Sequence, residues 1–487
     1  MSRMNRRRFL RNLGVGAASL ALARVLYADA GKRPNVLFLC VDDMNDWIGC
    51  LGARKDIKTP NIDRLAQRGV LFTNAQCPAP LCNPSRTAIM TGLHPGTTGI
   101  YDNNHVWAKD MPDWVTLPRY FKKYGYYVAG GGKIYHHTPK GFNPKDQWHE
   151  YFDLVPDQGT QAEQVKRLGL NREYFSDMPM HPNGSWDWGP FEKDDYEMGD
   201  GYTVKWAMEF LGRKHDKPFF LAVGLFQPHL PFYAPAKYFD QYPKEGISLP
   251  PAPEDDLDDL PPAAATVSQA GRDEDFKMVV ACGELRAAVQ GYLASISHAD
   301  ALIGGLLRVL DSNGYGENTI VVFWSDNGYH FGEKQRMAKR TLWDRAAHVP
   351  LIVVAPGVTT PGSRCDRPVD LMSLYPTLLE LCGLPANEKN EGISIVPLLK
   401  DPAAKWEHAA LTTHTQGNHA ICTERWRYIR YANGDQELYD RVADPNEWRN
   451  LAPQPEYESV IRDLAGQMPR EEGSISARPR KRKESKP

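Results

Sequence analysis

Apolar residues in this chain fall into short unbroken runs, separated by segments where they recur every third and fourth position. The runs at 35–41, 126–129, 219–225, 319–324 and 349–354 lack polar alternation, as strands buried on both faces of a sheet do. Segments 63–69, 117–125, 292–310 and 371–381 carry the spacing of helices packed on such a sheet. Their alternation predicts an α/β fold: a large mixed, mostly parallel sheet flanked by helices. Stretches 155–201 and 250–275, rich in Pro, Gly, Asp and aromatics, read as long surface loops rimming a site. Beyond about Asp401 the pattern changes. Short strands at 420–423, 427–431 and 436–440, an Asn433-Gly434 hairpin and a helix at 456–468 predict a small C-terminal α+β subdomain over 401–470.

A length of 487 residues fits one large domain, here 31–400, plus that smaller one. The near balance of 58 Lys and Arg against 60 Asp and Glu gives no sign of a nucleic-acid binder. A basic run near the end makes 471–487 a solvated, disordered tail. At the start, Arg6-Arg7-Arg8-Phe9-Leu10-Arg11 precedes a weakly apolar stretch and Ala28-Asp29-Ala30. This resembles a twin-arginine export signal over residues 1–30, too short for a membrane span, and implies a periplasmic or extracellular protein. Eight scattered cysteines show no metal-type spacing. An oxidising compartment permits a disulfide, with Cys365 and Cys382 one pairing, without implying a framework.

Chemistry gathers at strand ends. Asp42-Asp43 follows the first run and Asp326-Asn327 the fourth. Alone, an acidic pair is an ordinary turn or helix cap. Together the four offer hard oxygen ligands at one sheet edge, where open α/β sheets bind ligands, and they suit Ca2+ or Mg2+ rather than zinc. Other runs end in Lys133-Ile134-Tyr135-His136-His137 and Gln227-Pro228-His229. In Cys82-Asn83-Pro84-Ser85-Arg86, Pro84 disfavours helix at Asn83, so a helix is expected from about Ser85 with Cys82 on the preceding turn. A thiol in that positive field is either a reactive thiolate or an ordinary buried cysteine.

Cys82-x-Pro84-x-Arg86 with Thr91-Gly92 resembles the signature of type I sulfatases, whose maturation enzymes oxidise this cysteine to formylglycine. The resemblance runs from Asn35 to about Pro455 and implies the alkaline-phosphatase/sulfatase fold, one Ca2+ held by Asp42, Asp43, Asp326, Asn327 and oxidised Cys82, and a sulfated carbohydrate as substrate. One hydroxyl of hydrated formylglycine would attack sulfur and the second would allow sulfate to leave. Arg86, Lys133 and Lys339 would balance the sulfate oxygens. His136, or its neighbour His137, would be the base of the release step, and His229 with Lys339 would protonate the leaving oxygen. Lys133-x-x-His136, Pro228-His229-Leu230-Pro231-Phe232 and the set Tyr101, Asp102 and Trp107 resemble the iduronate 2-sulfatase-like branch, implying exo action on a 2-O-sulfated uronic acid. Arg340 is a candidate for the uronate carboxylate, and a solvated charge otherwise. Asn327 departs from the His common in that branch. The alternatives are a formylglycine-dependent phosphonate or phosphodiester hydrolase and an inactive glycan-binding relative.

Overall fold

The computed structural model describes residues 33–136, 141–153, 186–269 and 273–469. Residues 1–30, read above as an export signal, together with His137, the basic tail and most of the 155–201 stretch, lie outside the described residues. Eight strands form the main sheet: β1 (Asn35–Val41), β2 (Val70–Phe72), β3 (Tyr127–Gly132), β4 (Glu150–Phe152), β5 (Phe219–Gly224), β6 (Thr319–Ser325), β7 (Leu351–Val354) and β8 (Ser363–Cys365). Their spatial order is β8-β2-β7-β6-β1-β5-β3-β4. Only β7 runs antiparallel to its neighbours. The sequence reading gave the apolar run at 349–354 no direction. Because Leu351 pairs with Trp324 and Val354 with Val321, it is the start of β7, not its end, that lies at the rim of β1 and β6.

The unbroken apolar runs are explained by two cores. Leu37, Leu39 and Val41 of β1 face one, while Val36, Phe38 and Cys40 face the other. Helices α1 (Pro60–Ala66), α2 (Cys82–Thr91), α3 (Leu117–Lys123), α4 (Gly199–Leu211), α5 (Leu285–Ser312) and α6 (Leu374–Leu381) cover the sheet. α1, α4 and α5 pack on the first face and α2, α3 and α6 on the second. Among the described residues α5 alone is long and apolar enough to cross a membrane, but 83% of its most apolar window is buried inside the protein.

His298 of α5 is fully buried; its Nε2–H donates to the Asp195 carbonyl at 3.1 Å and Nδ1 meets no donor among the described residues. Burial pushes its pKa down to about 4. The folded imidazole therefore stays neutral where an unfolded one, titrating near 6.5, takes up a proton. Its contribution is intact above about pH 6.5 and is lost as pH falls towards 4, by at most about 3 kcal/mol. His298→Gln should flatten the decline of the urea midpoint between neutral and acid pH; identical slopes in variant and parent would refute this.

The second stretch read as a loop, 250–275, instead contains a helix at Pro262–Val267 and the cap of another, since Asp273 accepts from the Asp275 and Phe276 N–H groups at 3.1 Å. The described part of the first includes a strand, Trp188–Phe191, and the start of α4. Alanines and a capping Asp outweigh the Pro and Asp content there. All eight cysteines are free, so the Cys365–Cys382 pairing is not formed. Cys365 instead donates to the Pro402 carbonyl at 3.4 Å.

The C-terminal subdomain is an antiparallel sheet of β9 (Ala410–Thr413), β10 (His419–Cys422), β11 (Trp426–Arg430) and β12 (Gln436–Asp440) with α7 (Glu458–Ala465). The β11–β12 turn carries Gly434 at φ +95°, as the Asn-Gly pair predicts. One face of the sheet buries Ile421, Tyr428 and Leu438 under α7, and the other presses Ala420, Ile429 and Tyr439 onto Leu342 and Trp343 of the large domain. The first strand, β9, escaped the sequence reading. It bonds the segment leading to Cys82: Thr413 N–H donates to the Pro78 carbonyl at 2.9 Å and Thr412 Oγ1 to the Cys77 carbonyl at 2.7 Å.

Candidate active site

Register puts the acids together. Val41 of β1 pairs with Ser325 of β6, so Asp42 and Asp326 leave the sheet side by side. Asp43 takes a left-handed turn, φ +64°, held by its N–H donating to Asp326 Oδ1 at 3.1 Å and by the Tyr292 hydroxyl donating to its carbonyl at 2.7 Å. Such a conformation costs a non-glycine residue about 1 kcal/mol or more and persists where surrounding bonds fix it. One oxygen each of Asp42, Asp43 and Asp326 lie within 4.8 Å of one another. Asn327 Nδ2 donates to Asp43 Oδ1 at 2.8 Å, while its buried Oδ1 has no hydrogen-bond partner among the described residues. Three carboxylates and an orphaned amide oxygen fit a hard divalent cation.

Cys82 is the first residue of α2, not the turn before it. Pro84 is tolerated because the first four helical N–H groups need no intrahelical partner, and Asn83 is held helical by its Nδ2 donating to the Asp102 and His105 carbonyls at 2.7 and 2.8 Å. Ser85 N–H closes the first turn on the Leu81 carbonyl at 3.0 Å, and Gly92, at φ +71°, ends the helix. Cys82 is fully buried; its Sγ lies 3.4 Å from Asp42 Oδ1, 2.8 Å from Lys339 Nζ and 3.9 Å from Lys133 Nζ. Burial and Asp42 oppose its ionisation, and the two lysines outweigh them and lower its pKa.

Arg86, one turn on, is also fully buried. Its Nε donates to Asp326 Oδ2 at 2.7 Å, and the fork reaches Asp42 Oδ1 at 3.4 Å, the Val41 carbonyl at 3.2 Å and the Lys133 carbonyl. With its donors committed, Arg86 fastens the acids rather than meeting the sulfate as the sequence suggested. Lys133 follows β3, where Gly132 at φ +73° passes so close to β5 that a Cβ would lie 2.0 Å from the Gly224 carbonyl oxygen. That turn delivers the Lys133 ammonium to Asp42 Oδ2. Burial alone would raise the Asp42 pKa, but Lys133, His229, Arg86 and Lys339 hold it well below the usual range.

His136 is mostly buried, edge-on to Phe142 at 5.5 Å. Burial and the Lys133 charge keep its imidazole neutral. His229 Nδ1–H donates to the Leu230 carbonyl at 2.7 Å, which turns Nε2 to within 3.7 Å of Asp43 Oδ2. Burial disfavours its charge, yet Asp43 prevails and raises its pKa. Lys339 lies on no helix but on a contorted strap, 8% exposed, with its ammonium on Asp43. Lys334, Gln335, Ala338 and Arg340 of this strap all have positive φ. Buried Arg336, which pairs with Asp273 at 3.2 Å, donates from Nη2 to the Lys339 carbonyl at 3.0 Å and fixes the strap.

The expected sugar contacts are scattered. Trp107 is a core residue: 0% exposed, its Nε1 donates to the Phe142 carbonyl at 2.8 Å and its ring stacks on Tyr135, so it cannot touch substrate. Asp102 is exposed and its Oδ1 accepts from the Asn104 N–H at 2.7 Å, closing a turn over Asn83, with Tyr101 half-buried beside it. Arg340 is exposed and forms no ion pair among the described residues. Sequence reasoning missed Tyr292, which looked like one more apolar helix position, and Arg336. Only the structure shows that they face the site.

A profile of the sulfatase family matches residues 34–384, and one of the C-terminal part of N-sulphoglucosamine sulphohydrolase matches 332–473. A sulfatase of Formosa agariphila is 40% identical over 90% of this chain and 87% of its own length. Iduronate 2-sulfatase of Homo sapiens is 32% identical over 72% of this chain and 69% of its own. The crystal structure of the phosphonate monoester hydrolase of Agrobacterium radiobacter shares the fold, with a TM-score of 0.72 and 22% identity over 89% of this chain and 94% of that one. The chain belongs to the sulfatase family. It has the alkaline-phosphatase/sulfatase fold and is an enzyme that hydrolyses sulfate esters.

Proposed function

We propose that this sulfatase acts outside the cytoplasm on a sulfated glycan, removing a 2-O-sulfate from a terminal uronic acid after Cys82 has been oxidised to formylglycine. The observation that carries the reading is the seat of Cys82, at a helix start between the Asp42 carboxylate and the Lys133 and Lys339 ammoniums. Asp42, Asp43, Asp326 and the orphaned Asn327 Oδ1 would hold Ca2+, which supplies charge to polarise a sulfate oxygen and the nucleophile. Formylglycine would supply the hydroxyl nucleophile and a second hydroxyl that lets sulfate depart.

The remaining work falls to side chains in place. Lys133 and Lys339 flank Sγ and would bind the sulfate oxygens. His229, its charged form favoured by Asp43, holds a proton at Nε2 for the leaving alcohol, and the neutral His136 is ready to accept one. Arg340, without an ion pair among the described residues, offers a guanidinium beside Lys339 for a carboxylate, and the similarity to iduronate 2-sulfatase supports a uronate.

The test uses enzyme whose formylglycine has been verified by mass spectrometry, given disaccharides that differ in sulfate position. Faster release from the 2-O-sulfated uronate is expected, with discrimination of up to roughly 10⁴-fold where buried polar groups read the sugar. Faster release from a 6-O-sulfated hexosamine overturns the substrate, and cleavage of a phosphonate ester in preference to every sulfate overturns the sulfate-ester reading.

A further inference from the structure

The oxygen cluster shares its floor with a second donor set of different chemistry. One donor atom each from Cys82, His229 and Asp42 lie within 4.8 Å of one another. A thiolate, an imidazole and a carboxylate form a zinc-class set, whereas calcium takes oxygen. The His229 ring is already arranged as a ligand: with Nδ1–H donated to the Leu230 carbonyl at 2.7 Å, Nε2 is the nitrogen turned to the site, the backing found behind metal-bound imidazoles. Asp43 Oδ2, 3.7 Å from Nε2, stands where a fourth ligand is needed.

We propose that, for as long as Cys82 remains a thiol, Cys82, His229 and Asp42 form a binding site for a zinc-class divalent ion, which holds the unoxidised protein as a metal thiolate. Binding forms a sulfur–metal bond and releases the Cys82 proton to solvent, together with the Nε2 proton where His229 carries one. Lys339, now 2.8 Å from Sγ, gives up that contact and keeps Asp43. Electrostatics allow the exchange. Three carboxylates and a thiolate would face Arg86, Lys133, Lys339 and the ion, which leaves the centre one unit less positive than a calcium ion among the same side chains with His229 neutral, and two units less where His229 carries a proton beside the calcium. Oxidising Cys82 replaces sulfur by oxygen and removes the soft ligand, so a single residue's chemical state selects the metal. The inference uses the site proposed above for sulfate hydrolysis but none of its chemistry.

The test uses full-length protein made without a maturation enzyme, its Cys82 thiol verified by mass, and Co2+ as probe. Expected are a thiolate-to-cobalt charge-transfer band saturating at one ion per chain, displacement by Zn2+ and persistence in excess Ca2+. Cys82→Ser should abolish the band, and His229→Ala should weaken Co2+ binding at least about tenfold. Serine at the partly exposed Cys50 and Cys282 should leave the band unchanged. A folded thiol protein without the band, or a band that survives Cys82→Ser, overturns the proposal. Formylglycine-bearing enzyme should lack the band; if it also releases no sulfate, the catalytic reading fails while the metal site stands.

Discussion

Arg86→Met should lower the unfolding free energy by about 3–5 kcal/mol, the usual result of stripping one partner from a buried ion pair. Two acids are left behind. Asp326 loses its 2.7 Å contact and Asp42 its 3.4 Å contact, both fully buried. Burial together with Asp42, Cys82 and Asp43 already pushes the Asp326 pKa well above the usual range, against Arg86, so without the guanidinium Asp326 takes up a proton or draws in water. The variant should also fail to turn over substrate, because the same fork ties β1, β6 and the Lys133 carbonyl to α2. Arg86→Lys should recover only part of the stability, since an ammonium cannot span the two acids and two carbonyls at once. Urea unfolding decides it: a loss under about 1 kcal/mol, the range of exposed pairs, would show that Arg86 is not the fastener described here.

Cys82→Ala should remove at least about 10⁴-fold of kcat, as expected when a nucleophile is lost and only binding and electrostatics remain. Its fold should survive. Alanine is well tolerated at a helix start, and the departing sulfur leaves behind the ammonium of Lys339, which keeps Asp43. Unchanged thermal unfolding beside lost turnover separates chemistry from folding. Cys82→Ser, with a single hydroxyl, should accumulate a sulfated chain visible as added mass. Full turnover by a verified plain thiol would refute the nucleophile assignment.

The sheet was legible because burial on both faces leaves an unmistakable signal: no polar residue interrupts 36–41 or 320–324. The acids were legible because they directly follow those runs, and register then makes them neighbours. Direction was not legible. The β7 run is as apolar as its neighbours, and nothing in its composition says that it enters from the opposite end. Lys339 illustrates a different limit. Its position depends on four non-glycine residues with positive φ and on Arg336, contacts that local spacing does not encode. Trp107 matched a family pattern, yet its burial shows that the pattern there reflects packing.

The bonds from β9 to the approach of Cys82 set an order of events during synthesis. Thr412 lies 335 positions beyond Cys77, so the segment leading to Cys82 cannot form its bonds to β9 until the chain is nearly finished. At roughly 5–20 residues per second, that interval lasts on the order of tens of seconds. In the folded chain Cys82 is 0% exposed, with Lys339 Nζ 2.8 Å from its Sγ. On the proposal that Cys82 is oxidised, an enzyme grasping it with its flanking Pro84 and Arg86 would work against the ribosome's clock.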